Sequence, residues 1–305
     1  MKKQVNKQFI EDIATELDTE PSFIEKDLYA VTVLKELAAI DYNRVKLIFT
    51  GGTCLSKGYN LIKRFSEDID FRIVSTPELT RGQRKEFRKF IINKIKAIPD
   101  IKYLENTLEK KNESRFFSFY VKYPREFAVD NSLREALKLE FTFESVLMPT
   151  NLCKIETLIG QYIKGIDNTE IECISPLEIA ADKFSALMWR IDIKDRTQEK
   201  GTTANDATII RHLHDLASLE KLLTKDDFKK CIEQSFANDK GRGGSNKDIN
   251  LIEFAQKTLE KLKTDQLYEA EYKDFVKALS YAKDDEAIDF PTALNAFERI
   301  VGLLK

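Results

Sequence analysis

The 305-residue chain has only two histidines, four cysteines and one tryptophan. Cys54, Cys153, Cys173 and Cys231 are far apart and form no Cys-x-x-Cys pair, which argues against a zinc site and gives no disulfide framework. A reducing compartment fits that usage. His212 and His214 stand two apart, so on a helix they point in different directions and make no metal pair. Net charge is lacking too: 49 basic and 51 acidic residues leave −2, so no global field draws in nucleic acid or anionic lipid and any such contact must be local. No stretch approaches the roughly 20 apolar residues of a membrane span. The opening MKKQVNKQFIEDIATELD never reaches the apolar run of a secretory signal. A cytoplasmic protein with no membrane partner is expected. Hydrophobic residues at 42% and charged residues at 33% describe a globular chain, long enough for one broad domain or two smaller ones.

What is present is a clear change of periodicity along the chain. Residues 7 to 40 read as helices, with Ile10, Ile13 and Leu17, then Leu28, Val31, Leu34 and Leu37, at helical spacing and Pro21 opening the second. Val45 to Thr50 is a short run of β-formers ended by Gly51-Gly52, and Leu55, Tyr59 and Ile62 predict a helix after the glycines. Ile69, Phe71 and Ile73 alternate with Asp68, Asp70 and Arg72, so this is a strand on which Asp68 and Asp70 share a face. A basic amphipathic helix follows over residues 80 to 97. Tyr103 to Leu108 and Phe116 to Tyr123 predict a hairpin around Lys110 to Ser114, and Leu137 to Phe143 a further strand. Ser175, Pro176 and Glu178, with Ile174 and Ile179 able to staple the turn, predict a helix start, the helix running to about Arg190. A charged loop, Ile191 to Asn205, precedes a helix carrying RHLHDLASLEKLL; residues 236 to 248 read as a flexible loop; the rest is mostly helical, Pro291 restarting the last helix. The boundary falls near residue 170, giving domains 1–170 and 171–305.

Two constellations carry chemistry. A glycine pair between strand and helix lets backbone N–H groups face an anion where the helix adds positive partial charge, although such turns also use glycine merely to turn. Asp68 and Asp70 on one strand face can bind divalent cations, and phosphoryl-transfer sites hold two metals about 4 Å apart. Alone, an Asp-x-Asp is more often a solvated face; joined to the glycine pair by a single helix, the two strands lie side by side and the combination points to a site. Glu140 in LKLEFTF is the leading third carboxylate, ahead of Glu144 and Glu156, with an ordinary ion pair to Lys138 as its competing explanation.

These residues carry a family resemblance. FTGGTCLSKGYNLIKRFSEDIDFRI, residues 49 to 73, resembles the first motif of the AbiEii/AbiGii nucleotidyltransferase toxins, a branch of the DNA polymerase β-like superfamily that includes the MenT toxins. IEKDLYAVTVL upstream, and PLEIAADKFSALMWR and RHLHDL downstream, are similar to further elements of that family, over roughly residues 20 to 220. Cys54 replaces a usual small apolar residue and Glu140 a usual Asp, and neither departure prevents metal binding. The resemblance implies an α+β fold: a nucleotidyltransferase-type mixed sheet flanked by helices, then a largely helical C-terminal domain contributing to the active-site cleft. It implies nucleotide binding by Gly51, Gly52, Thr53, Lys57, Ser66, Arg190 and Arg211, and two Mg²⁺ on Asp68, Asp70 and Glu140. Lys183 would neutralise phosphate charge, and Asp215 would orient Lys183 or activate the acceptor; Arg211 and Asp215, four apart, can also simply bridge. The implied activity is transfer of NMP from an NTP to an acceptor hydroxyl, the tRNA 3′ end first, by the toxin of an abortive-infection or toxin-antitoxin pair whose antitoxin gene lies beside it. A small-molecule or protein acceptor, and a catalytically silent binding module of the same fold, are the alternatives. A glycosyltransferase using Asp-x-Asp does not explain Gly51-Gly52 or Lys183.

Weaker signals remain. Arg84, Lys85, Arg88, Lys89 and Lys94 on the basic helix can contact an RNA backbone or form an ordinary solvated face. Arg242 in the glycine-rich loop can reach a phosphate, and Trp189 with Phe184 and Leu187 reads as core packing rather than a base-stacking platform.

Overall fold

The alternation read at residues 68–73 builds the centre of a mixed sheet. The computed structural model describes residues 6–129, 133–162, 168–282 and 286–305, and it divides into two units: Met1–Asn60 with Phe65–Ile174, and Leu61–Arg64 with Ser175–Lys305.

In the first unit α1 (Lys7–Glu16) and α2 (Pro21–Ala38) lead into β1 (Val45–Thr50), α3 (Gly51–Lys57), β2 (Asp68–Ser75) and α4 (Arg81–Lys96). Then come β3 (Lys102–Tyr103), β4 (Glu109–Lys111), β5 (Phe116–Lys122), β6 (Leu137–Phe143), β7 (Asn151–Glu156) and β8 (Asn168–Cys173). Among the described residues these strands form one sheet in the order β3-β5-β6-β2-β1-β8-β7, with β4 beside β5. β1 runs antiparallel to β2, while β2–β6 and β1–β8 are parallel. This is the expected α+β class.

Four phenylalanines fix the register. Phe49, Phe71, Phe141 and Phe117 are direct partners across β1, β2, β6 and β5. All four are essentially inaccessible, and successive ring centroids stand 5.6, 5.7 and 4.7 Å apart. Each aromatic pair adds about 0.5–1.5 kcal/mol beyond burial, and a slip of one residue would turn the whole row to the other face. The neighbouring row, Thr50, Asp70, Glu140 and Ser118, is thereby set on the opposite face.

The sequence reading misses β7 and β8, whose exposed Asn151, Leu152, Lys154, Asn168 and Glu170 blur the alternation. The expected first hairpin arm is broken by a 3₁₀ turn at Glu105–Thr107, leaving two short strands against β5. α3 ends at Lys57, before Ile62, because Gly58 caps it and Asn60 takes a positive φ of 53°.

The second unit contains α5 (Pro176–Asp192), α6 (Arg211–Leu219), α7 (Lys225–Asp239), α8 (Leu251–Thr264), α9 (Leu267–Leu279) and α10 (Phe290–Gly302). Ser175 Oγ accepts from Leu177 N at 3.3 Å and Pro176 occupies the first turn, as the start signal predicts. Phe184 of α5 packs on Phe228 of α7 and Phe297 of α10 at 5.7 and 5.0 Å. α7 absorbs residues 236 to 239 of the expected flexible loop. Segment Leu61–Arg64 is pinned to the end of α9 by a bridge from Arg64 to Ser280 and by Tyr281 N donating to Lys63 O at 3.1 Å. Among the described residues no helix is long and apolar enough to cross a membrane.

Candidate active site

Parallel pairing of β2 with β6 sets Asp70 beside Glu140 and Asp68 beside Lys138, and the pleat puts all four on one face. Asp68 and Glu140 are engaged by cations. Arg134 Nη1 donates to Asp68 Oδ1 at 2.8 Å, with Nη2 3.5 Å from Oδ2. Lys138 is ion-paired with Glu140, as the competing reading of Glu140 allowed. Behind Asp68, Glu67 Oε1 accepts from Arg134 N at 2.6 Å, and Lys26 Nζ pairs with Glu67 and donates to Arg134 O at 2.7 Å. Burial opposes the charge on Arg134, but Asp68 and Glu67 more than offset it and hold the guanidinium above its ordinary range. For Lys26 burial prevails over Glu67, and its pKa is lowered.

Gly51 is required where it stands. It opens α3 with φ +78°, and a Cβ there would lie 2.0 Å from Asp70 Oδ2. Only a residue without a side chain lets the start of α3 approach the carboxylate this closely. Gly51→Ala therefore strains the backbone and displaces Asp70. The expected result is a protein that melts several degrees lower, read by thermal denaturation; a wild-type melting temperature would refute the close approach.

Thr53 and Lys57, expected at the nucleotide, are committed inside the unit. Thr53 is 2% exposed and its hydroxyl donates to the Asp68 carbonyl, with the Ser66 carbonyl 3.5 Å away, which ties α3 to the start of β2. Lys57 pairs with Asp27, whose Oδ2 also accepts from Leu158 N at 2.6 Å. Gly52 is buried and Ser66 half-buried. Glu144 pairs with Arg72 Nε at 3.4 Å, and Glu156 with Lys154.

Among the described residues no group of three His, Cys, Asp or Glu side chains is already arranged to hold a metal ion. The donor chemistry nevertheless suits Mg²⁺: hard carboxylate oxygens from adjacent strands, with Asp68 and Glu140 already facing a cation.

Lys183, Arg190, Arg211 and Asp215 belong to the second unit and are described within it. Asp215 is 0% exposed and accepts from Arg64 Nε at 2.7 Å and Nη2 at 2.6 Å, while Lys183 Nζ lies 2.7 Å from its Oδ2. Burial alone would raise the Asp215 pKa; Arg64 and Lys183 outweigh it and hold the carboxyl well below the usual range. Lys183 is lowered by burial, only partly offset by Asp215. With both oxygens engaged and no exposed surface, Asp215 has no face for an acceptor; of the two roles the sequence left open, holding Lys183 is the one this geometry fits. Arg190 Nη1 pairs with Asp206 at 3.0 Å. Arg190 and Arg242 both lie over the Trp189 ring, at 5.2 and 5.3 Å, and Arg242 also pairs with Asp239 at 2.7 Å. Arg211 begins α6 half-buried. His212 is buried, both ring nitrogens lack a hydrogen-bond partner among the described residues, and burial followed by Lys183, Arg190 and Arg211 drives its pKa well below normal.

Four participants escape the sequence reading: Arg134, Glu67, Lys26 and Arg64. Lys26 and Arg64 stand in the stretches that carry the resemblance, Glu67 beside the Asp pair, and Arg134 has no sequence signal.

A family model described as "Nucleotidyl transferase AbiEii toxin, Type IV TA system" matches residues 32–299. The match takes in the C-terminal third that the sequence resemblance left unassigned. Among solved structures the chain is similar to MenT4, a nucleotidyltransferase toxin from Mycobacterium tuberculosis H37Rv, with a TM-score of 0.57 and 13% identity over 97% of this chain and 88% of that one. At that identity the likeness is one of fold. No curated protein matches the chain.

Proposed function

The chain belongs to the AbiEii nucleotidyltransferase toxin family, of type IV toxin-antitoxin systems, and from that premise we propose Mg²⁺-dependent transfer of NMP from an NTP to the 3′-hydroxyl of a tRNA. The observation that carries this reading is the row in which Asp70 and Glu140 pair in register, with Asp68 on the same face and Gly51 against Asp70. Asp68, Asp70 and Glu140 would hold two Mg²⁺. Bound there, the metal supplies charge neutralisation on the phosphoryl oxygens and activation of the attacking hydroxyl. Arg134 and Lys138, released from their carboxylates, become available to the triphosphate, as do the backbone N–H groups at Gly51 and Gly52. The acceptor oxygen attacks the α-phosphorus, the bond to the bridging oxygen breaks, and pyrophosphate leaves with the electron pair.

A toxin of this type works beside an antitoxin, which we expect a neighbouring gene to encode, and NTP and tRNA as substrates fit a cytoplasmic protein. The test is to incubate the protein with each labelled NTP, Mg²⁺ and total cellular RNA. Label from one NTP at the 3′ end of tRNA, with pyrophosphate released and the signal lost in EDTA, is the expected outcome. Label on a protein or small molecule instead would overturn the RNA acceptor, and no transfer to any acceptor would overturn the reaction.

A further inference from the structure

We propose that the first unit carries a second anion site, apart from the β2–β6 carboxylates, that holds a backbone phosphate of the RNA acceptor. This rests on the RNA reading of the acceptor above. The site is a pocket of about 630 Å³ between the first turns of α4 and the turn joining β4 to β5. Its lining includes Arg81, Lys85 and Arg88 from α4, Lys110 and Lys111 from the hairpin, and one carboxylate, Glu113. Five cations against one anion is a local excess in a chain whose overall charge is −2.

Most of those cations are not consumed by the fold. Lys111 pairs with Glu109 at 2.9 Å, whereas Arg81, Lys85 and Lys110 make no ion pair among the described residues. Arg88 is the telling group: it is 7% exposed, and its Nη1 is buried with no hydrogen-bond partner among the described residues. A buried donor left unpaired costs about 1–3 kcal/mol, and an oxyanion in the pocket would relieve that cost. The walls are braced. Arg84, 5% exposed, donates from Nη1 to Leu79 O at 2.6 Å and from Nη2 to Glu113 O at 3.2 Å, tying the hairpin turn to α4. The first two residues of the 16-residue α4, Arg81 and Gly82, both line the pocket, so the positive end of the helix faces it.

The lining also selects among anions. Among the described residues it holds no aromatic or large apolar side chain to stack a base. Exposed cations around one fixed guanidinium suit a polyanionic strand, whose phosphates recur along the rim.

The test uses the full chain carrying Arg81→Ala, Lys85→Ala and Lys110→Ala together, all exposed positions. Binding of fluorescein-labelled tRNA is followed by anisotropy across a salt series, alongside binding of a fluorescent NTP analogue. RNA affinity at low salt should fall by about tenfold or more, and the slope of log K against log salt should become shallower by about 0.7–0.9 for each phosphate that the variant leaves unneutralised. NTP binding should be unchanged. Unaltered RNA affinity and slope would overturn the site. Stabilisation by inorganic phosphate in a thermal-shift assay, abolished in the variant while RNA binding persists, would make it a free-anion site and equally overturn the RNA assignment. Because these are binding readouts, a protein that binds RNA through this pocket yet transfers nothing to it would sink the proposed reaction and leave the pocket standing.

Discussion

Asp70→Asn, and separately Asp68→Asn, should leave a folded protein without transferase activity. Asparagine keeps the shape of each side chain, so the phenylalanine row that fixes the register is untouched. What goes is a negative charge in a site proposed to hold two divalent cations. A metal contributes several kcal/mol of transition-state charge stabilisation, so its loss should lower turnover by about 10³-fold or more at 1.36 kcal/mol per decade. The stability cost of Asp68→Asn should be small. Asp68 is paired with Arg134, whose side chain is 39% exposed, and a pair with one partner so open to solvent contributes about 1 kcal/mol or less. Labelled-NTP transfer, Mg²⁺ titration by calorimetry and thermal denaturation on the same preparations decide the matter. Wild-type turnover in either variant, or abolished turnover with wild-type Mg²⁺ affinity, would refute the carboxylate assignment.

How far the site was legible follows from where its information lies. β1, α3 and β2 were readable because their signals are local: a β-forming run, a glycine pair, then a strict two-residue alternation. Glu140 was readable because LKLEFTF alternates the same way, although its register against Asp70 is fixed by the buried phenylalanines and by no spacing rule. Gly51 was read as an anion cradle, whereas its contact with the Asp70 carboxylate needs the packed structure. Arg134 was invisible: it lies between β5 and β6 with no periodicity around it, and its partner Asp68 is 66 residues away. β7 at the sheet edge and β8 beside it failed for another reason, since exposed polar residues on both strands erase the pattern that alternation depends on. At residues 236–239 the hydrophobic contacts of α7, such as Phe236 on Phe254 at 6.0 Å, carry the helix past the point where the sequence predicts a loop.

A contact between residues far apart in the sequence should have the largest effect on stability. Arg64 and Asp215 are 151 residues apart, yet the guanidinium grips the carboxylate through two hydrogen bonds and Lys183 closes on the same oxygen. Asp215→Asn removes the only negative charge of this buried triad and leaves two cations facing a neutral amide. Removing one partner of a buried charge cluster costs about 3–5 kcal/mol, a large share of the roughly 5–15 kcal/mol that holds a domain together. The order within the triad should be informative. Lys183→Met should cost least, because Arg64 keeps both bonds to Asp215 and burial already works against the lysine's charge; Arg64→Met should be intermediate and Asp215→Asn worst. pH supplies an independent readout. The Asp215 pKa is depressed in the folded state, so its contribution is present above the ordinary carboxylate value of 3.8 and is lost as pH falls through the lower folded value. Urea denaturation from pH 7 down to about pH 3 should therefore show a shallower acid decline for Asp215→Asn than for wild type, starting from a lower plateau. Equal stability at pH 7 would mean that the triad is not what holds Leu61–Arg64 to its unit, and an unchanged acid slope would mean that Asp215 does not titrate as its surroundings require.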